Sequence, residues 1–380
     1  INSINNSDTQ VIEDLIEIKK EYIELDKELV LKALSYKDCR TIIMIFKNYY
    51  KKKSNIINKY PIKLSGKRSF EYYNNGKWIN DVVNVTDKKG RFNRQPMSFR
   101  DTISTESKKF QPEANRYHLY VSYACPWAHR TLIYRNLKEL EPIISISVVN
   151  PYMGPNGWDF TEGEGVILDS INHCHYLREI YIKANAKFTG RVTVPILWDK
   201  KTKTIVNNES SEIIRIFNTS FNQITKNKLD FYPKTLQKEI DYWNYFIYNN
   251  INNGVYKVGF ATNQEAYKEN VINLFNSLDK IESHLKKQNF IIGNKITETD
   301  WRLFVTLIRF DAVYVQHFKC NIRQVKEYQN ITNYLKKLYN HPKIKETVNI
   351  DHIKTHYFKS HPKINPSQIV PLGPENTLYL

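Results

Sequence analysis

The chain has 380 residues, 56 basic against 39 acidic side chains, a net charge of +17 and four cysteines. A chain of this length can bury a sizeable core and suggests about two domains. Its 41% hydrophobic and 13% aromatic content excludes wholesale disorder. No apolar run approaches the roughly 18–20 residues of a membrane-spanning helix, and the few cysteines do not make a disulfide framework. Collagen, a disulfide-stapled secreted domain and an integral membrane protein are therefore excluded.

The positive charge at first suggests a nucleic-acid partner. The lysines, however, stand singly or in short runs such as Lys51–Lys53 and Lys200–Lys203, and acidic residues separate them. This pattern favours charge that is scattered over a solvated surface. We therefore predict no nucleic-acid partner.

Residues 1–67 form a predicted N-terminal extension that is partly helical or disordered. Apolar residues recur in it with the spacing of one or two amphipathic helices (Ile12, Leu15, Ile16, Ile23 and Leu34). The extension is rich in acids, so it is not typical of a transit peptide. We expect a cytoplasmic protein, although the chain begins with Ile rather than Met and organellar targeting stays open. Residues 68–116 show little periodicity and predict an extended, irregular lead-in segment.

Residues 117–231 alternate between strand and helix patterns. The order is strand, helix, strand, helix, strand, strand, helix, which is typical of a thioredoxin-like α/β domain. The predicted elements are His118–Ser122, Pro126–Leu137, Ile143–Val149, Tyr176–Ala184, Val194–Trp198, Thr204–Val206 and Glu209–Phe217.

Residues 232–357 predict an all-helical domain, because apolar residues recur there at helical spacing without strand patterns. Thr297 and Asp300 form a predicted capping box at the start of one helix, with Ile296 and Trp301 as a hydrophobic staple. Residues 358–380, rich in Pro and polar residues, predict a surface tail.

Cys125 stands where the first predicted strand of the α/β domain turns into its first helix, with Pro126 at the first helical position. The helix N-terminus favours a thiolate, so we expect the pKa of this thiol to lie below that of a free cysteine. Position 128 is alanine, so the site has one thiol and a mixed disulfide there needs an external thiol to resolve it. We expect the other cysteines to be buried and inert (Cys39, Cys174 and Cys320).

Two further motifs point to the same ligand. Val194-Pro195 opens a late strand, and a cis peptide there would turn the Val194 backbone toward Cys125; an ordinary edge-strand proline is the alternative. Glu209-Ser210 begins the last helix, where a carboxylate can bind and Glu209 can accept from an amine; a helix cap without a ligand is the alternative. Together the three sites predict a cradle for glutathione.

The chain resembles the glutathionyl-hydroquinone reductases, the Xi class of glutathione transferases, from about Gly76 to Pro374. The segments that carry the resemblance are SYACPWAHRTLI, GRVTVPILWDK, TIVNNESSEIIRIFN, INNGVYKVGFA, TETDWRLFVTLIRFDAVYVQHFKCN and INPSQIVPLGP. The resemblance implies a thioredoxin-like N-terminal domain followed by an all-helical glutathione-transferase C-terminal domain, a homodimer, and glutathione as cosubstrate without a metal.

The resemblance also implies roles for single residues. Cys125 would attack the sulfur of a glutathionyl-hydroquinone, and a second glutathione would resolve the mixed disulfide. The implied glutathione contacts are Trp158, Arg191, Val194, Glu209 and Ser210, and the implied quinone contacts are Tyr256 and Tyr314. Trp158 as a packing anchor and Arg191 as a solvated loop residue are the alternatives. The alternative functions are an omega-type thioltransferase or dehydroascorbate reductase, and a non-enzymatic binding module.

Overall fold

The computed structural model describes residues 72–79 and 97–374. The predictions for residues 1–67, including Cys39, lie outside the described residues. The first described element is a hairpin of β1 (Tyr72–Asn74) and β2 (Lys77–Ile79), which pairs through β1 with the short strand β5 (Gly190–Arg191). The sequence predicts irregular backbone over these residues, whereas the structure has a hairpin because a tight turn joins β1 to β2. Asn75 and Gly76 both have positive φ, as an Asn-Gly hairpin turn requires.

The four-stranded sheet of the α/β region carries the site. In spatial order it is β4, β3, β6, β7, with β3 parallel to β4 and antiparallel to β6, and β7 antiparallel to β6. All five residues of β3 are buried. This mixed sheet is the predicted thioredoxin-like arrangement. The strands are β3 (Tyr117–Val121), β4 (Ile144–Val148), β6 (Ile196–Asp199) and β7 (Thr204–Asn207).

The helices of this region lie close to their predicted positions. The first helix, α1, has the predicted limits, α2 begins one residue later than predicted, and α3 begins one residue later and ends two residues later. The short α4 was not predicted. Helices α1 and α3 pack against each other, and α2 packs against β7. The helices are α1 (Pro126–Leu137), α2 (Leu177–Ala184), α3 (Ser210–Thr219) and the short α4 (Asn222–Thr225).

Residues 232–374, all of them described, contain helices and turns but no strand, so the predicted all-helical second region is confirmed. Two single turns of π-helix follow α5 and α8, at Tyr248–Asn252 and Phe310–Tyr314. Within the described ranges, no helix has the length and apolar character needed to cross a bilayer. The helices are α5 (Gln237–Ile247), α6 (Gly254–Gly259), α7 (Gln264–Leu285), α8 (Glu298–Arg309), α9 (Gln329–Tyr339) and α10 (Ile350–Lys359).

Helix α8 is the centre of the helical region, because every one of its residues is buried. It begins at the predicted capping box: the Asp300 carboxylate accepts from the Thr297 N–H at 2.7 Å. In its first turn, the buried Glu298 carboxylate accepts from Arg215 of α3 at 3.1 Å and from Arg302 at 2.8 Å. The start of α8 therefore ties the helical region to the thioredoxin-like region.

Candidate active site

Cys125 is the N-cap of α1, in extended conformation (φ −76°, ψ 120°), and Pro126 follows in the first turn. Its carbonyl oxygen accepts the first helical bond from the His129 N–H at 2.9 Å. The side chain is half-buried, so the thiol sits at the positive end of the helix and within reach of a small molecule. The predicted placement of Cys125 at a helix N-terminus is confirmed.

The two other described cysteines lie in different surroundings. Cys174 is buried, which raises its pKa to about 12, and the nearby Asp169 carboxylate adds to the rise. Cys320 is fully buried in the helical region, and burial raises its pKa well above the ordinary value. Both thiols stay protonated at neutral pH, as expected for inert cysteines. Of the described cysteines, Cys125 is the one suited to act as a nucleophile.

Val194 meets Cys125 across the site. The Val194–Pro195 peptide is cis, and the Val194 carbonyl oxygen lies 3.7 Å from the Cys125 sulfur. The sequence predicts a strand from Val194, whereas β6 begins at Ile196. Val194 and Pro195 therefore form a loop beside the cysteine, which leaves the Val194 backbone outside the sheet ladder.

Glu209 is the N-cap of α3, and Ser210 is the first helical residue. The Glu209 carboxylate accepts from the Ser211 N–H and from the Ser211 hydroxyl, both at 3.0 Å. The Ser210 side chain is buried. The carboxylate thus caps its own helix in this structure, as the alternative interpretation expects, while it remains at the helix end where the ligand interpretation needs it.

Trp158 and Arg191 lie on other elements. The Trp158 ring is buried and stacks on His356 of α10, with centroids 4.5 Å apart and an angle of 23° between the planes. This agrees with the packing role of Trp158. Arg191 belongs to β5 and pairs with Tyr72 of β1, so it is held in a short sheet rather than in a free loop.

Three tyrosine hydroxyls converge in the helical region, and we call Tyr256, Tyr314 and Tyr357 the tyrosine cluster. The Tyr357 hydroxyl lies 2.6 Å from that of Tyr256 and 3.1 Å from that of Tyr314. The Tyr256 ring stacks on Trp127, two residues after Cys125, with centroids 6.2 Å apart. The two tyrosines expected to contact the quinone are therefore in one hydrogen-bonded group beside the cysteine helix.

Two hydroxyls of the tyrosine cluster, those of Tyr314 and Tyr357, can donate hydrogen bonds but do not ionise readily. Burial raises the pKa of Tyr314 and of Tyr357 well above the ordinary value, and the positive charge of Arg309 partly opposes this rise. At neutral pH these two hydroxyls are therefore neutral donors. A neutral donor suits an oxygen atom that gains negative charge during a reaction.

Two family models match the chain, "Glutathione S-transferase, N-terminal domain" at residues 124–220 and "Glutathione S-transferase, C-terminal domain" at residues 264–337. The glutathionyl-hydroquinone reductase PcpF of Sphingobium chlorophenolicum is 48% identical over 303 residues, which cover 80% of this chain and 96% of that protein. The crystal structure of the Xi glutathione S-transferase from Phanerochaete chrysosporium is 52% identical, with a TM-score of 0.75, covering 77% of this chain and 95% of that one. The chain belongs to the Xi-class glutathione transferases.

A third similar protein has a structure with glutathione bound. The glutathione-bound structure of YqjG, a glutathione transferase homolog from Escherichia coli K-12, is 46% identical, with a TM-score of 0.73, and covers 80% of this chain and 95% of that one. The family and the fold class predicted from the sequence are confirmed, and so is the enzyme class, a glutathione-transferase-like oxidoreductase.

Two candidate functional residues of this Xi-class transferase, Tyr357 and Arg309, were not predicted from the sequence. Tyr357 joins the tyrosine cluster from α10, which begins 36 residues after Tyr314 and carries no quoted motif. Arg309 lies inside a quoted segment, yet two of its partners are backbone carbonyls immediately before Cys125, far away in the sequence. The one sequence signal for Arg309 is its position at the end of a largely apolar helix, because a charge that is buried there needs hydrogen-bond partners.

Proposed function

We propose that this transferase reduces glutathionyl-hydroquinones to hydroquinones, with Cys125 as the nucleophile. The Cys125 thiolate attacks the glutathione sulfur of the substrate, so that an S–S bond forms and the carbon–sulfur bond breaks. The bonding electron pair leaves with the ring carbon, which takes up a proton, and the hydroquinone departs. Glutathione then attacks the mixed disulfide, which gives glutathione disulfide and returns the Cys125 thiol.

One observation carries this proposal: Cys125 is a half-buried thiol at a helix N-terminus, with alanine three positions on. A site with a single thiol cannot resolve its own mixed disulfide, so a second glutathione is needed. The tyrosine cluster supports the choice of a quinol substrate, because the half-buried Tyr256 can present its hydroxyl to a quinol oxygen, while Tyr314 and Tyr357 are buried behind it. The names of the relatives agree with this reaction.

For glutathione itself we propose contacts at Trp158, Arg191, Val194, Glu209 and Ser210. The Val194 backbone, next to the Cys125 sulfur, can pair with the peptide groups of glutathione. Glu209 and Ser210, at the start of α3, suit the end that bears both an amine and a carboxylate. Arg191 suits the other carboxylate, because a guanidinium binds carboxylates through paired hydrogen bonds. We also propose a homodimer, which light scattering in solution tests.

The test of the reaction is turnover of glutathionyl-menadiol in the presence of glutathione, followed by the release of free menadiol. Cys125→Ser should abolish turnover, while Cys174→Ser should leave it at the wild-type rate because Cys174 is buried and protonated. Turnover of dehydroascorbate without turnover of glutathionyl-menadiol would contradict the proposal and favour an omega-type thioltransferase. A protein that binds no glutathione in calorimetry would instead be a non-enzymatic module.

A further inference from the structure

Arg309 ends α8, and its side chain is fully buried under the Cys125 loop. The guanidinium donates to the carbonyl oxygen of Ala124 at 3.0 Å and to that of Tyr123 at 2.9 Å. These are the two residues immediately before Cys125. Since Arg309 belongs to the helical region, the loop that presents the cysteine is held in place by the other half of the molecule.

The remaining partners of Arg309 are also neutral. It donates to the Val305 carbonyl at 2.8 Å and lies 3.0 Å from Nδ1 of His129. Because arginine only donates, Nδ1 of His129 accepts, and the ring proton is on Nε2, 2.8 Å from the Thr347 hydroxyl. Burial and the Arg309 charge lower the pKa of His129 well below its ordinary value, so the imidazole is uncharged.

The positive charge of Arg309 therefore has no carboxylate partner among the described residues. A buried charge that meets only neutral dipoles is costly, and a negative charge that forms nearby offsets this cost. The residue that follows the two bonded carbonyls in the chain is Cys125, and the proposed reaction needs its thiolate. Arg309 thus combines rigid hydrogen bonds to the cysteine loop with a charge of the sign that the thiolate requires.

We propose that Arg309 is a positioning residue for Cys125, which holds the cysteine loop through its backbone carbonyls and supplies the buried positive charge that stabilises the thiolate. This inference rests on the proposed function, in which Cys125 is the nucleophile. It assigns to the helical region a part in activating a cysteine that belongs to the thioredoxin-like region. The N-terminus of α1 and Arg309 then both favour the negative charge on the Cys125 sulfur.

Other ionisable groups lie on the elements around the Cys125 loop, and they do not replace Arg309. His129 is neutral, and Tyr314 and Tyr357 stay protonated. Arg130 is a second buried positive charge, but it donates to Asn252 and lies over the Trp127 ring, whereas Arg309 donates to the carbonyls of the loop. Glu209 at the start of α3 would oppose a thiolate, and the His352 ring packs on Tyr123 with centroids 5.6 Å apart. Arg309 is a fixed positive charge that donates directly to two carbonyl oxygens of the loop.

The experiment measures the pKa of the Cys125 thiol in the full chain from thiolate absorbance against pH, with the Cys125→Ser spectrum subtracted. Arg309→Gln removes the charge and keeps donors for the carbonyls, whereas Arg309→Lys keeps the charge. We expect the Gln variant to raise the thiol pKa by roughly one unit and the Lys variant to leave it near wild type. Arg116→Lys is the matched control, because Arg116 is also buried but pairs with Asp199 at the other end of β3.

An unchanged thiol pKa in a folded Arg309→Gln protein overturns the inference, and so does an equal rise in the Arg116→Lys control. Near-ultraviolet circular dichroism checks the fold, and Arg309→Met is the second variant without charge if the Gln variant does not fold. The pH profile of turnover gives a second readout. Loss of the Arg309 charge should shift the acidic side of the profile to higher pH, whereas purely structural damage lowers the rate at every pH. Activity retained by Cys125→Ser would refute the proposed function instead and would leave the pKa comparison interpretable.

Discussion

His118 provides a test of the packing of the central sheet, because its environment makes stability depend on pH. The ring is fully buried in β3, with Nδ1 2.7 Å from the Ser145 hydroxyl and Nε2 3.0 Å from the Ser147 hydroxyl. Burial lowers its pKa from 6.5 to about 4. The folded protein therefore resists protonation at a pH at which the unfolded chain accepts a proton.

This difference between the folded and the unfolded pKa determines in which direction, and by how much, the unfolding free energy changes with pH. A histidine with a lowered pKa in the folded state contributes stability that is fully present above pH 6.5 and is lost as the pH falls toward 4. The shift corresponds to about 3 kcal/mol of unfolding free energy, since one pKa unit is about 1.4 kcal/mol. Between neutral pH and about pH 4, His118→Gln should therefore lose about 3 kcal/mol less stability than the wild type does.

Urea denaturation at both pH values measures this difference, and contributions from other titrating groups cancel when the two proteins are compared. His175→Gln is the control, because His175 is an exposed histidine outside the central sheet. If His118→Gln and the wild type lose equal stability on acidification, His118 is not a buried neutral ring in the folded protein.

Two further substitutions test the tyrosine cluster and the contact between the two regions. Tyr357→Phe removes the hydroxyl that joins the cluster and should lower kcat for glutathionyl-menadiol by about tenfold or more, with KM little changed; an unchanged kcat would contradict a role for the cluster in the proposed reaction. Glu298→Gln leaves two arginines near a neutral amide and should lower the unfolding free energy by about 3 kcal/mol in urea denaturation; a change as small as that of an exposed acid such as Asp351 would contradict its bridging role.

The sequence was most informative where local rules act. Helix α1 begins after Cys125 because proline favours the first turn, and its predicted limits agree with the structure. The capping box at Thr297 likewise depends on residues three positions apart. The hairpin at residues 72–79 was missed although its Asn75-Gly76 turn is a local signal, because each of its strands is only three residues long and shows no clear periodicity.

The site was predictable only in part, because its residues meet through tertiary packing. Cys125, Val194 and Glu209 stand at the ends of helices or strands, where composition gives a signal. Tyr357 and Tyr256 are 101 residues apart, and nothing local announces their contact. Arg309 acts on backbone carbonyls 185 and 186 residues away, so its role appears only when the two regions are packed together.

In the proposed reaction, Cys125 takes the glutathionyl group directly from a quinol. The most direct measurement mixes the protein with one equivalent of glutathionyl-menadiol in the absence of free glutathione, and then follows both intact protein mass and released menadiol. We predict one added glutathione, mapped to the peptide that contains Cys125, together with an equal amount of menadiol. Menadiol release without the Cys125 adduct, or an adduct on another cysteine, would contradict the account.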